Sequence, residues 1–144
     1  MARALVIYHS KTGTTMKYAQ QIGEYLNGKG IEAEVASTVM YRPEMLAGVD
    51  YIFLGCWTSG LFFVLQKPEQ AWVKFAARLE GNPQAKLALF TTYKILTGSM
   101  FSNMAKHLTG KFAPHSLELK SRSSELTAQN MLSIDAFIAE NAAP

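Results

Sequence analysis

Residues 4–22, ALVIYHSKTGTTMKYAQQI, constrain the fold more than any other stretch of the chain. Leu5, Val6, Ile7 and Tyr8 form a short apolar, partly β-branched run, the pattern of a buried strand. The run breaks into Ser10-Lys11-Thr12-Gly13-Thr14-Thr15. Tyr18, Ile22, Tyr25 and Leu26 then recur at i, i+4, i+7 and i+8, one face of a helix. Gly28 and Gly30 stand where glycine usually closes a helix.

The turn between strand and helix has the chemistry of an anion site. Ser10, Thr12, Thr14 and Thr15 place four hydroxyls where the first N–H groups of a helix lack intrahelical partners. Gly13 lets the main chain approach a ligand closely, and the helix dipole adds roughly half a positive charge there. No Asp or Glu intrudes between Ala2 and Gly23. The same residues also read as a hydroxyl-rich turn that only caps the helix.

The string as a whole resembles the flavodoxin signature: an apolar pair, an aromatic, Ser or Thr, Thr-Gly-x-Thr, then Ala and an apolar residue at helical spacing. Val6, Ile7, Tyr8, Ser10, Thr12, Gly13, Thr15, Ala19 and Ile22 carry the match. It differs from the dinucleotide fingerprint and from the nucleotide-triphosphate loop ending in Gly-Lys-Ser/Thr. The resemblance implies that this loop holds the phosphate of FMN through hydroxyls and main-chain N–H groups, with Ser10, Lys11, Thr12, Gly13, Thr14 and Thr15 as its residues.

A chain of 144 residues, 49% of them hydrophobic, fits one domain with a real core, 1–144. No apolar run reaches the ~18 residues of a membrane span, and Met1 to Tyr8 is too short for a secretory signal. The single Cys56 precludes an internal disulfide and suits a cytoplasmic location. Three scattered histidines and one cysteine make no metal spacing. Net charge is +3 with a pI near 9.0, yet the cations stand singly and no nucleic-acid module is present. The charge therefore points to redox partner proteins rather than to nucleic acid.

Apolar runs alternate with helical patterns along the chain, which predicts an α/β fold with a parallel sheet covered on both faces. Expected strands lie at 5–8, 31–36, 51–55, 86–90 and 112–119. Helices are expected from after Thr15 to about Gly28, at 68–79, at about 99–108 and at 125–139, with a helical turn near 42–46. Pro68 is placed at a first helical position, and Leu126, Met131, Leu132, Ile134, Phe137 and Ile138 form the core face of the last helix. The simplest assembly is a doubly wound five-stranded sheet in order 2-1-3-4-5, flavodoxin-like. The rule that ligands sit at the switch point of such sheets has flavodoxin as a standing example, with FMN between strands one and three.

Two further loops then converge on the ligand. The loop after strand three is Cys56-Trp57-Thr58-Ser59-Gly60, and the resemblance implies that it lies along the flavin ring. Ser59-Gly60 would supply a peptide able to flip, and Trp57 either stacks on the ring or packs on a neighbouring helix. The loop after strand four carries Thr91, Thr92, Tyr93 and Gly98. Tyr93 is its available ring, with Ile95 a register alternative and a core position for Tyr93 a third. Cys56 reads as a packed residue bordering the flavin: small phosphatases on a similar sheet need Arg at the position of Phe62, and no histidine lies close in sequence.

Flavodoxins usually carry acidic residues around the flavin, whereas Tyr51–Lys67 and Gly81–Leu117 contain none. Without that repulsion, and with Lys94 close by, a second reduction potential less negative than in acidic relatives is expected. Leu61-Phe62-Phe63 is either tucked under the Trp72 helix or exposed as a docking or self-association patch. The resulting reading is an FMN-binding electron carrier with no catalytic acid, base or nucleophile. Two alternatives remain open on sequence: an FMN-dependent quinone or protoporphyrinogen-type reductase, and a binding module that has lost the flavin.

Overall fold

The computed structural model describes residues 2–61 and 64–141, and for residues 59–61 and 64–65 the backbone alone. Strand β1 (Arg3–His9) leads into α1 (Thr14–Gly28), and β2 (Glu32–Ser37) is followed by a 3-10 turn at Pro43–Leu46. Next come β3 (Tyr51–Leu61), β4 (Val64–Pro68) and α2 (Gln70–Arg78). The chain ends with β5 (Lys86–Thr92), α3 (Met100–Ala105), β6 (Leu117–Ser121) and α4 (Ala128–Glu140).

Five strands form a parallel sheet in the order β2-β1-β3-β5-β6, with β4 paired antiparallel to β3 beside this path. Leaving β4 aside, this is the expected order. Strand alternation sends successive side chains to opposite faces, and two cores result. On one face Leu5, Ile7, Ile52, Leu54 and Leu89 meet Trp72 and Phe75 of α2 and Met100 and Met104 of α3. On the other, Val6, Phe53 and Phe90 meet Tyr18, Ile22 and Leu26 of α1 and Ile134 and Phe137 of α4. Each such large side chain contributes about 1.5–3 kcal/mol by leaving water. Gly55 is fixed by this packing: a Cβ there would come within 2.1 Å of the Phe90 ring.

Several boundaries depart from expectation for identifiable reasons. The segment expected as a loop after Gly55 continues as strand: Trp57 pairs with Thr92 of β5, and Thr58 and Ser59 pair with Pro68 and Lys67 of β4. Pro68 thus ends a strand rather than starting a helix, and α2 begins at Gln70, capped by the Glu69 carboxylate on the Ala71 N–H at 2.8 Å. The segment from Phe112 turns before β6 starts at Leu117, although Phe112 itself is buried. Helix α3 is shorter than its pattern, and α4 starts at Ala128 because Thr127 and Asn130 form a capping box ahead of it. Leu132, expected in the core, is 63% exposed on α4. Phe62, Phe63 and the Leu61 side chain lie outside the described residues.

Candidate flavin site

Helix α1 starts without a side-chain cap. Its N-cap, Gly13, has φ +93°, the left-handed region that favours glycine, and the first intrahelical bond runs from Lys17 N–H to the Gly13 carbonyl. The N–H groups of Thr14, Thr15 and Met16 therefore have no acceptor within the helix. Around them stand Thr12 and Thr14, whose hydroxyls are 3.4 Å apart. Ser10 is turned inward, its Oγ accepting the Gly13 N–H at 2.9 Å, so it shapes the loop. Buried Thr15 shares a 2.6 Å hydrogen bond with Thr92 Oγ1, tying the turn to the end of β5.

These groups open into a cavity of about 570 Å³, within the range of small-molecule and cofactor sites. Lys11, Thr12, Thr14 and Thr15 come from the β1–α1 turn, Trp57 and Thr58 from β3, and Gln66 from β4. Thr92 comes from the end of β5, Tyr93, Lys94, Ile95 and Leu96 from the segment after it, and Arg122 from the turn after β6. The carboxyl ends of β1, β3, β5 and β6 thus meet at one place, the switch-point crevice of an open α/β sheet.

Trp57 is half-buried in the cavity wall, with its Nε1 buried and without a partner among the described residues. Lys11 Nζ lies 4.9 Å from the centre of its ring, a cation–π contact. The wall behind Trp57 is rigid: Thr91 Oγ1 donates to the Cys56 carbonyl at 2.6 Å and lies 2.8 Å from Thr58 Oγ1. Tyr93 is half-buried, its N–H bonded to the Ser121 carbonyl at 3.1 Å.

Of the residues singled out from sequence, Lys11, Thr12, Thr14, Thr15, Trp57, Thr58, Thr92 and Tyr93 are brought together on the cavity wall. Gly13 and Ser10 support the turn, and Thr91 supports the wall from behind. Cys56 does not reach the cavity: it is buried in the core, where desolvation pushes its thiol up to about 12 and keeps it protonated. Gly98 is exposed and does not line the cavity; a Cβ there would come within 2.3 Å of Gln66 Oε1. Ser59 and Gly60 belong to the β3–β4 ladder, with a register irregularity between Ser59 and Leu61.

Sequence reasoning missed Gln66 and Arg122 as wall residues. Gln66 is buried, and its carbonyl accepts from Ser99 Oγ at 3.2 Å and Asn103 Nδ2 at 2.7 Å, which fastens β4 to α3. An uncharged polar residue directly after the apolar run LFFVL was the available signal. Arg122 donates from Nε and Nη2 to the Lys94 carbonyl, at 3.2 and 2.9 Å, and only the β5–β6 adjacency brings it there.

The residues fit an FMN-sized ligand in three respects. Free helix N–H groups and hydroxyls suit a phosphate, an aromatic wall suits a flat ring, and the volume is adequate. A second groove of about 660 Å³, between Thr38–Pro43 and α2, offers Lys74, Arg78 and an apolar floor at Phe75 and Leu79. It contains neither the α1 N-terminus nor the hydroxyl turn, and so lacks that donor set. Among the described residues no group of three His, Cys, Asp or Glu could hold a metal, and no helix is long and apolar enough to cross a membrane.

Comparison with known proteins agrees with this geometry. The family profile described as Flavodoxin matches residues 6–130. Among solved structures, an archaeal flavodoxin superimposes with a TM-score of 0.71 at 17% identity, covering 97% of this chain and 96% of its own. Flavodoxin 2 from Bacillus cereus gives 0.70 at 19% identity, over 98% of both chains. The two-electron reduced flavodoxin of Megasphaera elsdenii gives 0.70 at 20%, covering 89% of this chain and 93% of that one. At these identities the structural likenesses carry the fold, and the profile carries the membership. The chain belongs to the flavodoxin family, whose members bind FMN and transfer electrons.

Proposed function

We propose that residues 1–144 act as a single-domain electron carrier in the cytoplasm, with FMN held in the Lys11–Arg122 cavity. The observation that carries this reading is the convergence of an uncapped helix N-terminus, a hydroxyl turn and an aromatic wall on one space. Thr12, Thr14 and Thr15, with the N–H groups of Thr14, Thr15 and Met16, would hold the phosphate. Trp57 and Tyr93 would meet the ring, and Thr58, Thr92 and Gln66 would border it. When bound, FMN supplies one- and two-electron chemistry, and the protein's part is capture, orientation and electrostatics. The protonated Cys56 thiol is sealed in the core, away from the wall.

The electrostatics of the wall are of one sign. Lys11, Lys94 and Arg122 line it, and among the described residues no carboxylate does. At an effective dielectric near 20, one unit charge at ~8 Å is worth about 2 kcal/mol. Added electrons are therefore held at lower cost than beside the acidic loops of usual flavodoxins. A spectroelectrochemical titration should place the second reduction potential above that of acidic relatives; a strongly negative value contradicts this reading. The carrier is separated from a reductase by mixing the FMN-loaded protein with NAD(P)H or a quinol alone. A carrier turns neither over, whereas rapid steady-state oxidation overturns the assignment.

A further inference from the structure

From the charges around the cavity mouth we infer that this face docks an acidic electron-transfer protein; the inference rests on the carrier reading above. Lys11, Lys94 and Arg122 are all exposed, and among the described residues none of them enters an ion pair. Arg122 is held in place, because two of its N–H groups bind the Lys94 carbonyl. A guanidinium has five N–H donors, so three remain for an incoming carboxylate. Between these cations Ile95 is 42% exposed, flanked by half-buried Tyr93 and Leu96. An apolar centre within a charged rim is the anatomy of a protein interface.

The acids Glu69 and Glu125 do not line the cavity. Glu69 is engaged by His9 Nε2 at 2.9 Å and by the Ala71 N–H. Glu125, the acid nearest Arg122 in sequence, is exposed but does not line the cavity. A patch of one sign around an opening speeds association with surfaces of the opposite sign, repels its own, and is screened by salt. The preferred partner is therefore one whose docking face carries Asp and Glu, the reverse of what an acidic carrier selects.

The test titrates the full chain, FMN-loaded and FMN-free, with a fluorescently labelled acidic plant-type ferredoxin and, separately, with basic cytochrome c. Saturable ferredoxin binding at low ionic strength is expected, weakening steeply as salt shortens the Debye length, with no saturation by cytochrome c. The double variant Lys94→Glu/Arg122→Glu should weaken ferredoxin binding about tenfold or more in the FMN-free chain, where cofactor effects do not enter. Absent or salt-independent ferredoxin binding, tighter binding of cytochrome c, or an unaffected double variant overturns the inference. The wild-type salt series and the cytochrome c comparison need no variant to fold. FMN uptake is measured on the same samples: uptake without charge preference sinks only the docking surface, and no uptake sinks the carrier reading and the docking inference with it.

Discussion

Single residues decide how the turn after β1 works. Gly13 sits at φ +93°, and Gly13→Ala imposes a left-handed conformation on a residue that avoids it, at about 1–3 kcal/mol. Its expected outcome is a lower midpoint in urea together with weaker FMN uptake; an unchanged midpoint contradicts the strain. Cys56 gives a pH prediction. Its folded-state pKa lies above the ordinary value of 9.0, at about 12, because burial penalises the thiolate. Its contribution to stability is thus complete below pH 9 and is lost as pH climbs from 9 towards 12. Buried Tyr18, also raised by desolvation, acts in the same direction. Stability measured by denaturant titration should fall across that alkaline window, and Cys56→Ala should flatten part of the fall. A thiol reagent should leave the native protein unlabelled at pH 8 and label it on unfolding; rapid native labelling contradicts the burial.

Elements were legible in the sequence wherever periodicity was sustained and long. Helix α1 showed through Tyr18, Ile22 and Leu26, all fully buried, and β1, β3 and β5 through unbroken apolar runs that become central strands. The β3–β4 hairpin was hidden because Gly55 and Gly60 punctuate it like a loop and Pro68 reads as a helix start. Pro68 is tolerated because, among the described residues, β4 pairs with β3 alone, at the side of the sheet path. Two contacts set element stability and can be tested. Thr127 Oγ1 accepts the Asn130 N–H at 3.1 Å at the start of α4, and Thr127→Ala should cost about 1 kcal/mol in chemical unfolding. Lys111 Nζ donates to the carbonyls of Ala76 and Ala77 near the end of α2. Lys111→Met should destabilise by about 0.5–1 kcal/mol, and the effect should shrink in high salt.

At the scale of the molecule, the fold brings together segments that no local pattern connects: the turn after β1, the strand end at Trp57, the segment after β5 and the turn carrying Arg122. The hydroxyl turn and Trp57 could be read from sequence because their chemistry is local. Gln66 and Arg122 could not, since each reaches the cavity only through strand adjacency. The central claim is that the β1–α1 turn grips the phosphate of a flavin, and comparing FMN with riboflavin, which lacks that phosphate, tests it most directly. The quenching of flavin fluorescence should show saturable FMN binding at least ~100-fold tighter than riboflavin, the scale of one or two charge-assisted hydrogen bonds. Thr12→Ala/Thr14→Ala should remove most of that difference. Equal affinity for the two flavins, or no uptake of FMN at all, contradicts the account.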